Sequence, residues 1–124
     1  MTWKGLWMVL SLKEFERFFN WNEADIRYLE MVNNTIHMDV HFVTFKQTRR
    51  TGFTMKYVDM RIRLVFRDVT LLTDDYYSSL EKILSRFKTN YLCSGARLNE
   101  DGDFVIDDCI RIRCSEVEVQ ELPH

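Results

Sequence analysis

Three metal-ligating side chains recur at alternate positions in His37-x-Asp39-x-His41. In an extended strand such residues share one face at a spacing of about 7 Å, close enough for two of them to share an ion. A zinc or iron site needs a further ligand from a neighbouring strand, and Asp59 is the residue in a position to supply it. The competing role is a polar outer sheet face cross-paired with Arg61 and Arg63, which the missing fourth ligand favours. On that reading no metal is bound; His37, Asp39, His41 and Arg61 are also the alternative face for a protein partner, should the acidic residues named below not bind it.

Other chemistries find less support. Serines, cysteines and three histidines are present, but there is no Gly-x-Ser-x-Gly elbow and no cysteine in a nucleophile signature. The four glycines, Gly5, Gly52, Gly95 and Gly102, are too scattered to cradle a phosphate. The doublets Asp74-Asp75 and Asp107-Asp108 are adjacent, which on a strand sends the two carboxylates to opposite faces and prevents a close acid/base pair. The expectation is a binding protein rather than an enzyme, with no catalytic residue and no cofactor. Val43, Phe45 and Tyr57 beside Arg61 and Arg63 have the composition of a stacking platform for single-stranded nucleic acid. Large apolar side chains are mostly buried, however, so a small core beneath a helix is the stronger reading.

The elements that must position these residues are legible in part. Ser11 and Glu14 form a capping-box pair with Leu10 and Phe15 at staple positions, and Leu12, Phe15, Phe18 and Phe19 recur at helical spacing. A helix is predicted over 11–19, ended by Asn20 and Trp21. The period then becomes alternating, predicting strands at 25–32 and 35–46 around an Asn33-Asn34 turn. Ile36, Met38, Val40 and Phe42 fall on the core face of the second. After a loop containing Gln47 to Gly52, a strand at 55–67 places Val58, Met60, Ile62, Leu64 and Phe66 inward, and a long hairpin joins 35–46 to 55–67. Leu80, Ile83, Leu84 and Phe87 at i, i+3, i+4 and i+7 predict a helix over 79–88, against the strand favoured by Tyr76 and Tyr77 before it and Tyr91 to Cys93 after it. Asn99-Glu100-Asp101-Gly102 reads as the turn of a hairpin joining 91–98 to 103–106. The last strand, 109–121, shifts phase near Ser115-Glu116, which suggests a bulge. The fold class is α+β, mostly an antiparallel β-sheet with the N-terminal helix packed on one face.

The 124 residues, 46% hydrophobic and 14% aromatic, suffice for one continuous core, so the expectation is a single domain over 1–124. A net charge of −2 argues against a nucleic-acid partner. Charge is unevenly spread: residues 1–67 hold 11 basic and 7 acidic groups, whereas 68–124 hold 6 and 12. Asp101, Asp103, Asp107 and Asp108 are therefore the first candidates for a partner-binding surface, complementary to a basic protein. Cys93, Cys109 and Cys114 cannot all pair with one another, which suits a reducing, cytoplasmic compartment. The apolar run from Gly5 to Leu12 is too short to span a bilayer and lacks a cleavage site, so no membrane association is expected.

Two segments carry a family resemblance. Phe18-Phe19-Asn20-Trp21-Asn22-Glu23-Ala24-Asp25-Ile26 is similar to an aromatic, Trp, polar-acidic-small-acidic-aliphatic motif, and Leu64-Val65-Phe66-Arg67-Asp68-Val69-Thr70-Leu71-Leu72 to a strand of the form L-x-F-x-(G/D)-V-x-x-L. Over residues 15–73 the chain resembles the immunity protein 50 family of bacterial polymorphic-toxin systems, with Asn22-Glu23 where a His-Asp pair is common. The resemblance implies a small antidote that binds a cognate protein toxin and blocks it by occlusion. The alternatives are an accessory protein-binding domain without a toxin partner and a small metal- or ligand-binding protein. The sequence does not set the oligomeric state.

Overall fold

The computed structural model describes residues 7–19, 21–49, 52–87 and 91–122, with the side chains of 17, 18 and 43–59 outside the description. In chain order its elements are β1 (Trp7–Leu10), α1 (Leu12–Phe18), β2 (Asp25–Val32), β3 (Thr35–Arg49), β4 (Gly52–Arg67), β5 (Leu71–Asp74), α2 (Leu80–Ser85), β6 (Tyr91–Leu92), β7 (Ala96–Leu98), β8 (Phe104–Ile106), β9 (Ile110–Arg113) and β10 (Glu116–Glu121). The strands form two antiparallel sheets, one of six strands in the order β1-β10-β4-β3-β2-β6 and one of four in the order β5-β9-β8-β7. The protein is thus mostly antiparallel β-structure with two short helices.

Local chemistry explains the helix starts. The Ser11 hydroxyl accepts the Glu14 N–H at 3.2 Å, and a Glu14 carboxylate oxygen accepts the Ser11 N–H at the same distance. These bonds satisfy donors that a helix N-terminus leaves open. In α1, Phe15 is fully buried, its ring centroid 5.8 Å from that of Phe66 in β4 and 5.2 Å from that of Phe104 in β8. At α2 the Ser79 hydroxyl accepts the Lys82 N–H, and Ile83 and Phe87 are buried while Leu80 is exposed.

Alternation places the core as expected. Ile36, Met38, Val40 and Phe42 of β3 and Ile62, Leu64 and Phe66 of β4 are buried, joined by Val117 and Val119 of β10. They share one hydrophobic cluster with Phe104, Ile106, Ile110 and Ile112 of the second sheet. The turn between β2 and β3 holds Asn33 at φ +55°, a conformation that Asn tolerates better than most residues.

Several boundaries differ from expectation. Gln47–Arg49 and residues 52–54 belong to the β3–β4 ladder rather than to a loop, with Thr48 opposite Phe53 and Arg49 opposite Gly52. They escape the pattern because Gln47, Thr48, Arg49, Arg50, Thr51 and Gly52 have the polar, glycine-containing composition of a loop. The predicted strand 91–98 divides into β6 of the first sheet and β7 of the second. The predicted strand 109–121 divides likewise into β9 and β10, so the phase shift at Ser115-Glu116 marks a change of sheet rather than a bulge. Strands β1 and β5 were not anticipated. Every residue of β5 is half-buried, which leaves no two-faced pattern to detect. The expected end of the first helix at Asn20, and the side chains of Phe18, Val43, Phe45, Tyr57, Val58 and Asp59, lie outside the described residues.

Candidate partner-binding surface

The four aspartates of the charge-rich C-terminal half do not act together. Asp103 is 3% exposed, and its two carboxylate oxygens accept from Arg113 Nε at 2.6 Å and a terminal guanidinium nitrogen at 3.2 Å. Asp107 and Asp108 lie in the turn between β8 and β9 with φ of +52° and +58°, closed by the Cys109 N–H on the Ile106 carbonyl at 3.1 Å. The Asp107 carboxylate then fastens the chain that crosses between sheets. One oxygen accepts the N–H groups of Ser94 at 2.7 Å and Gly95 at 3.1 Å, and the other accepts the Tyr91 hydroxyl at 2.6 Å. Burial, reinforced by this bond, pushes the Tyr91 hydroxyl pKa up. Burial and the nearby Asp107 charge push the Cys93 thiol up to about 12.

Only Asp101 and Asp108 are exposed, and Asp108 is paired with Arg97 at 3.2 Å. Of the four candidates for a partner-binding surface, Asp103 is buried and Asp107 half-buried, and the carboxylates of both are held by donors within the chain. A carboxylate taken wholly or partly out of water is tolerable only where donors surround it, and both stand where such donors converge. A second polar cluster lies beside them: Asp74, its side chain fully buried, accepts from Arg86. The Arg86 guanidinium stands 5.5–5.7 Å from the ring centroids of Tyr76, Tyr77 and Tyr91.

The outer face of the six-stranded sheet is organised differently. Residues directly opposite in an antiparallel pair share a face. The register therefore gathers Trp7, Val9, Glu118, Gln120, Arg61, Arg63, Val65, His37, Asp39, His41, Tyr28, Glu30, Val32 and Leu92 on the side away from the core. Five of these are exposed large hydrophobics, led by Leu92 at 67% and Trp7 at 64%. Between them several charges are held by partners. Arg63 grips Asp39 through two bonds, of 2.9 and 3.2 Å, and the Tyr28 hydroxyl donates to Glu30. Glu118 accepts from Trp7 Nε1 at 2.8 Å, from Gln120 at 3.2 Å and from Arg67. Burial alone would raise the Glu118 pKa, but these donors outweigh it and hold the carboxyl below its ordinary value.

The structure thus brings His37, Asp39, His41 and Arg61 onto one surface, with His37 opposite Glu30 and Val65, and His41 opposite Asp25 and Arg61. Asp39 uses both oxygens on Arg63. Among the described residues no group of three or more His, Cys, Asp or Glu is placed to hold a metal ion, and the Asp59 side chain lies outside them. Sequence reasoning missed Trp7, Val9, Val32, Leu92 and Glu118 as members of this face. The run Trp7-Met8-Val9-Leu10 was the available signal, but it has no polar alternation, and only pairing with β10 shows which of its residues point outward.

Among the described residues no helix is long and apolar enough to cross a membrane. Compared with known proteins, the chain matches no family model, no curated protein and no solved structure.

Proposed function

We propose that this protein is a protein-binding antidote that occludes a cognate toxin, and that it binds through the outer face of the six-stranded sheet. One observation carries the choice of surface: exposed Trp7, Val9, Tyr28, Val32 and Leu92 surround the ion pairs Arg63–Asp39 and Arg67–Glu118. Aromatic anchors and Arg among fixed neighbours are the composition of interface centres, because little side-chain entropy is lost on docking. Six strands span roughly 24 Å, and six residues along the four longer ones, β2, β3, β4 and β10, span about 20 Å. That area suits the centre of an interface burying about 800 Å² per partner.

The antidote role takes its support from the resemblance to the immunity protein 50 family. The residues that carry the resemblance are largely packing residues: Phe19, Trp21, Ala24, Ile26, Leu64, Phe66 and Val69 are all buried. They speak for an architecture, with α1 as a cover on one face of the sheet, and the partner contacts fall to other positions. The antidote role expects a toxin gene beside this one, and the test is co-expression with that neighbour's product, followed by measurement of affinity. Val32→Glu and Leu92→Glu should each weaken the complex about tenfold or more while leaving the thermal midpoint nearly unchanged. Failure to form a complex removes the antidote role, and unchanged affinity in both variants removes this surface.

A further inference from the structure

Glu118 is buried on a face that is otherwise open. The neighbouring outward charges, Glu30, Asp39, Arg63 and Arg67, are exposed or half-buried, whereas Glu118 is 7% exposed. A carboxylate leaves water at tolerable cost only where donors take the water's place. Here the donors come from three strands. Oε1 accepts Trp7 Nε1 of β1 at 2.8 Å and Gln120 Nε2 of β10 itself at 3.2 Å, and Oε2 accepts from Arg67 of β4.

The bond from Trp7 crosses the strands at an angle. Trp7 stands directly opposite Gln120, and Val9 opposite Glu118, so the indole reaches its acceptor diagonally. Diagonal neighbours in an antiparallel pair lie about 7–8 Å apart, within reach of an aromatic or other long side chain. A ring bonded in this way leans over β10, and the bond restricts both of its side-chain torsions. Trp7 is nevertheless 64% exposed, so the ring is fixed at its nitrogen and open over most of its surface.

We infer that Glu118 is the positioning residue of the outer face, holding the Trp7 indole in its docking orientation before a partner arrives. The inference rests on the reading of that face as the docking surface and adds what orders its most N-terminal aromatic anchor. A tryptophan has two torsions to immobilise on docking, and a ring already held has little of that freedom left to lose. Its N–H is spent on Glu118, so the exposed indole offers ring surface without a free donor and suits an apolar side chain of the partner protein. The two carboxylate oxygens separate this role from the ion pair with Arg67. Glu118→Gln can set its amide oxygen where Oε1 stands, which keeps the bonds from Trp7 and Gln120 and gives up the one from Arg67.

The experiment follows the Trp7 indole N–H by NMR in the isotope-labelled full chain, with Trp7→Phe identifying its resonance among the three indoles. In the unmodified protein that proton is expected to exchange with solvent about tenfold or more slowly than in the denatured chain. Glu118→Gln should keep the protection and Glu118→Leu should abolish it, with the amides of Phe66 and Val119 reporting that each variant is folded. Against the product of the neighbouring gene, Glu118→Leu should weaken the complex about tenfold and Glu118→Gln by much less. A merely structural role would lower the thermal midpoint on Glu118→Leu without freeing the indole. An unprotected indole proton in the unmodified protein, or protection that survives Glu118→Leu, overturns the inference with no partner present. Lost protection with unchanged affinity, while Leu92→Glu still weakens the complex, overturns the positioning role and leaves the outer face standing. Unchanged affinity in Val32→Glu and Leu92→Glu as well removes that face itself, and the positioning role with it.

Discussion

Asp107 in the β8–β9 turn and Asp39 on the outer face of the first sheet are both half-buried carboxylates, yet they serve opposite ends. Asp107 accepts from two backbone N–H groups and a tyrosine hydroxyl, all on the segment that carries the chain from one sheet to the other. Asp39 meets one guanidinium on the neighbouring strand, across a surface ringed by exposed apolar side chains. Formal charge therefore says little about where a partner binds. A carboxylate surrounded by fixed donors is already in use, and the proposed recognition surface is instead one that leaves apolar groups uncovered.

The largest effect that tests this contrast is Asp107→Ala. It leaves the Ser94 and Gly95 N–H groups and the Tyr91 hydroxyl without an acceptor, and should cost about 3 kcal/mol, read from the denaturant midpoint. A loss near zero would return Asp107 to the list of surface charges.

A smaller effect follows at the same carboxylate. Tyr91→Phe removes one donor and should cost about 1 kcal/mol at neutral pH. It should also change the alkaline limb of stability. The folded state holds the Tyr91 proton above the ordinary value of 10.0 and the Cys93 proton from 9.0 up to about 12. The unfolded chain releases these protons first, so their contribution is complete below pH 9 and is lost as pH rises toward 12. Tyr91→Phe should flatten the decline above pH 10, leaving the part due to Cys93. An unchanged slope would mean that Tyr91 titrates alike in both states.

The smallest effect belongs to the two exposed acids. Asp101→Asn with Asp108→Asn should shift stability by no more than about 0.5 kcal/mol, as surface changes do. It should also leave partner affinity and its salt dependence unaltered. Slower association in this variant would restore the acidic turn as a docking surface.

The boundaries of legibility follow from the same physics. Ser11 with Glu14, Asn33-Asn34 and the alternation of Ile36, Met38, Val40 and Phe42 were readable because each is a local rule: a cap, a turn, a period of two. The last pairs of the β3–β4 ladder, Gln47 to Arg49 opposite residues 52–54, were not, since their polar, glycine-containing composition reads as a loop. Asp107-Asp108 read as two strand carboxylates, whereas both φ values are positive and the doublet is a turn.

The sequence by itself determined the hairpins, the helix starts and most of the inward-facing residues, since these depend on neighbours a few positions apart. Only the tertiary structure decided that β9 and β10 lie in different sheets, that Asp103 is buried against Arg113, and that Trp7 stands beside Glu118. Those outcomes join residues as far as 111 positions apart, and no local pattern records which distant strand will supply the partner.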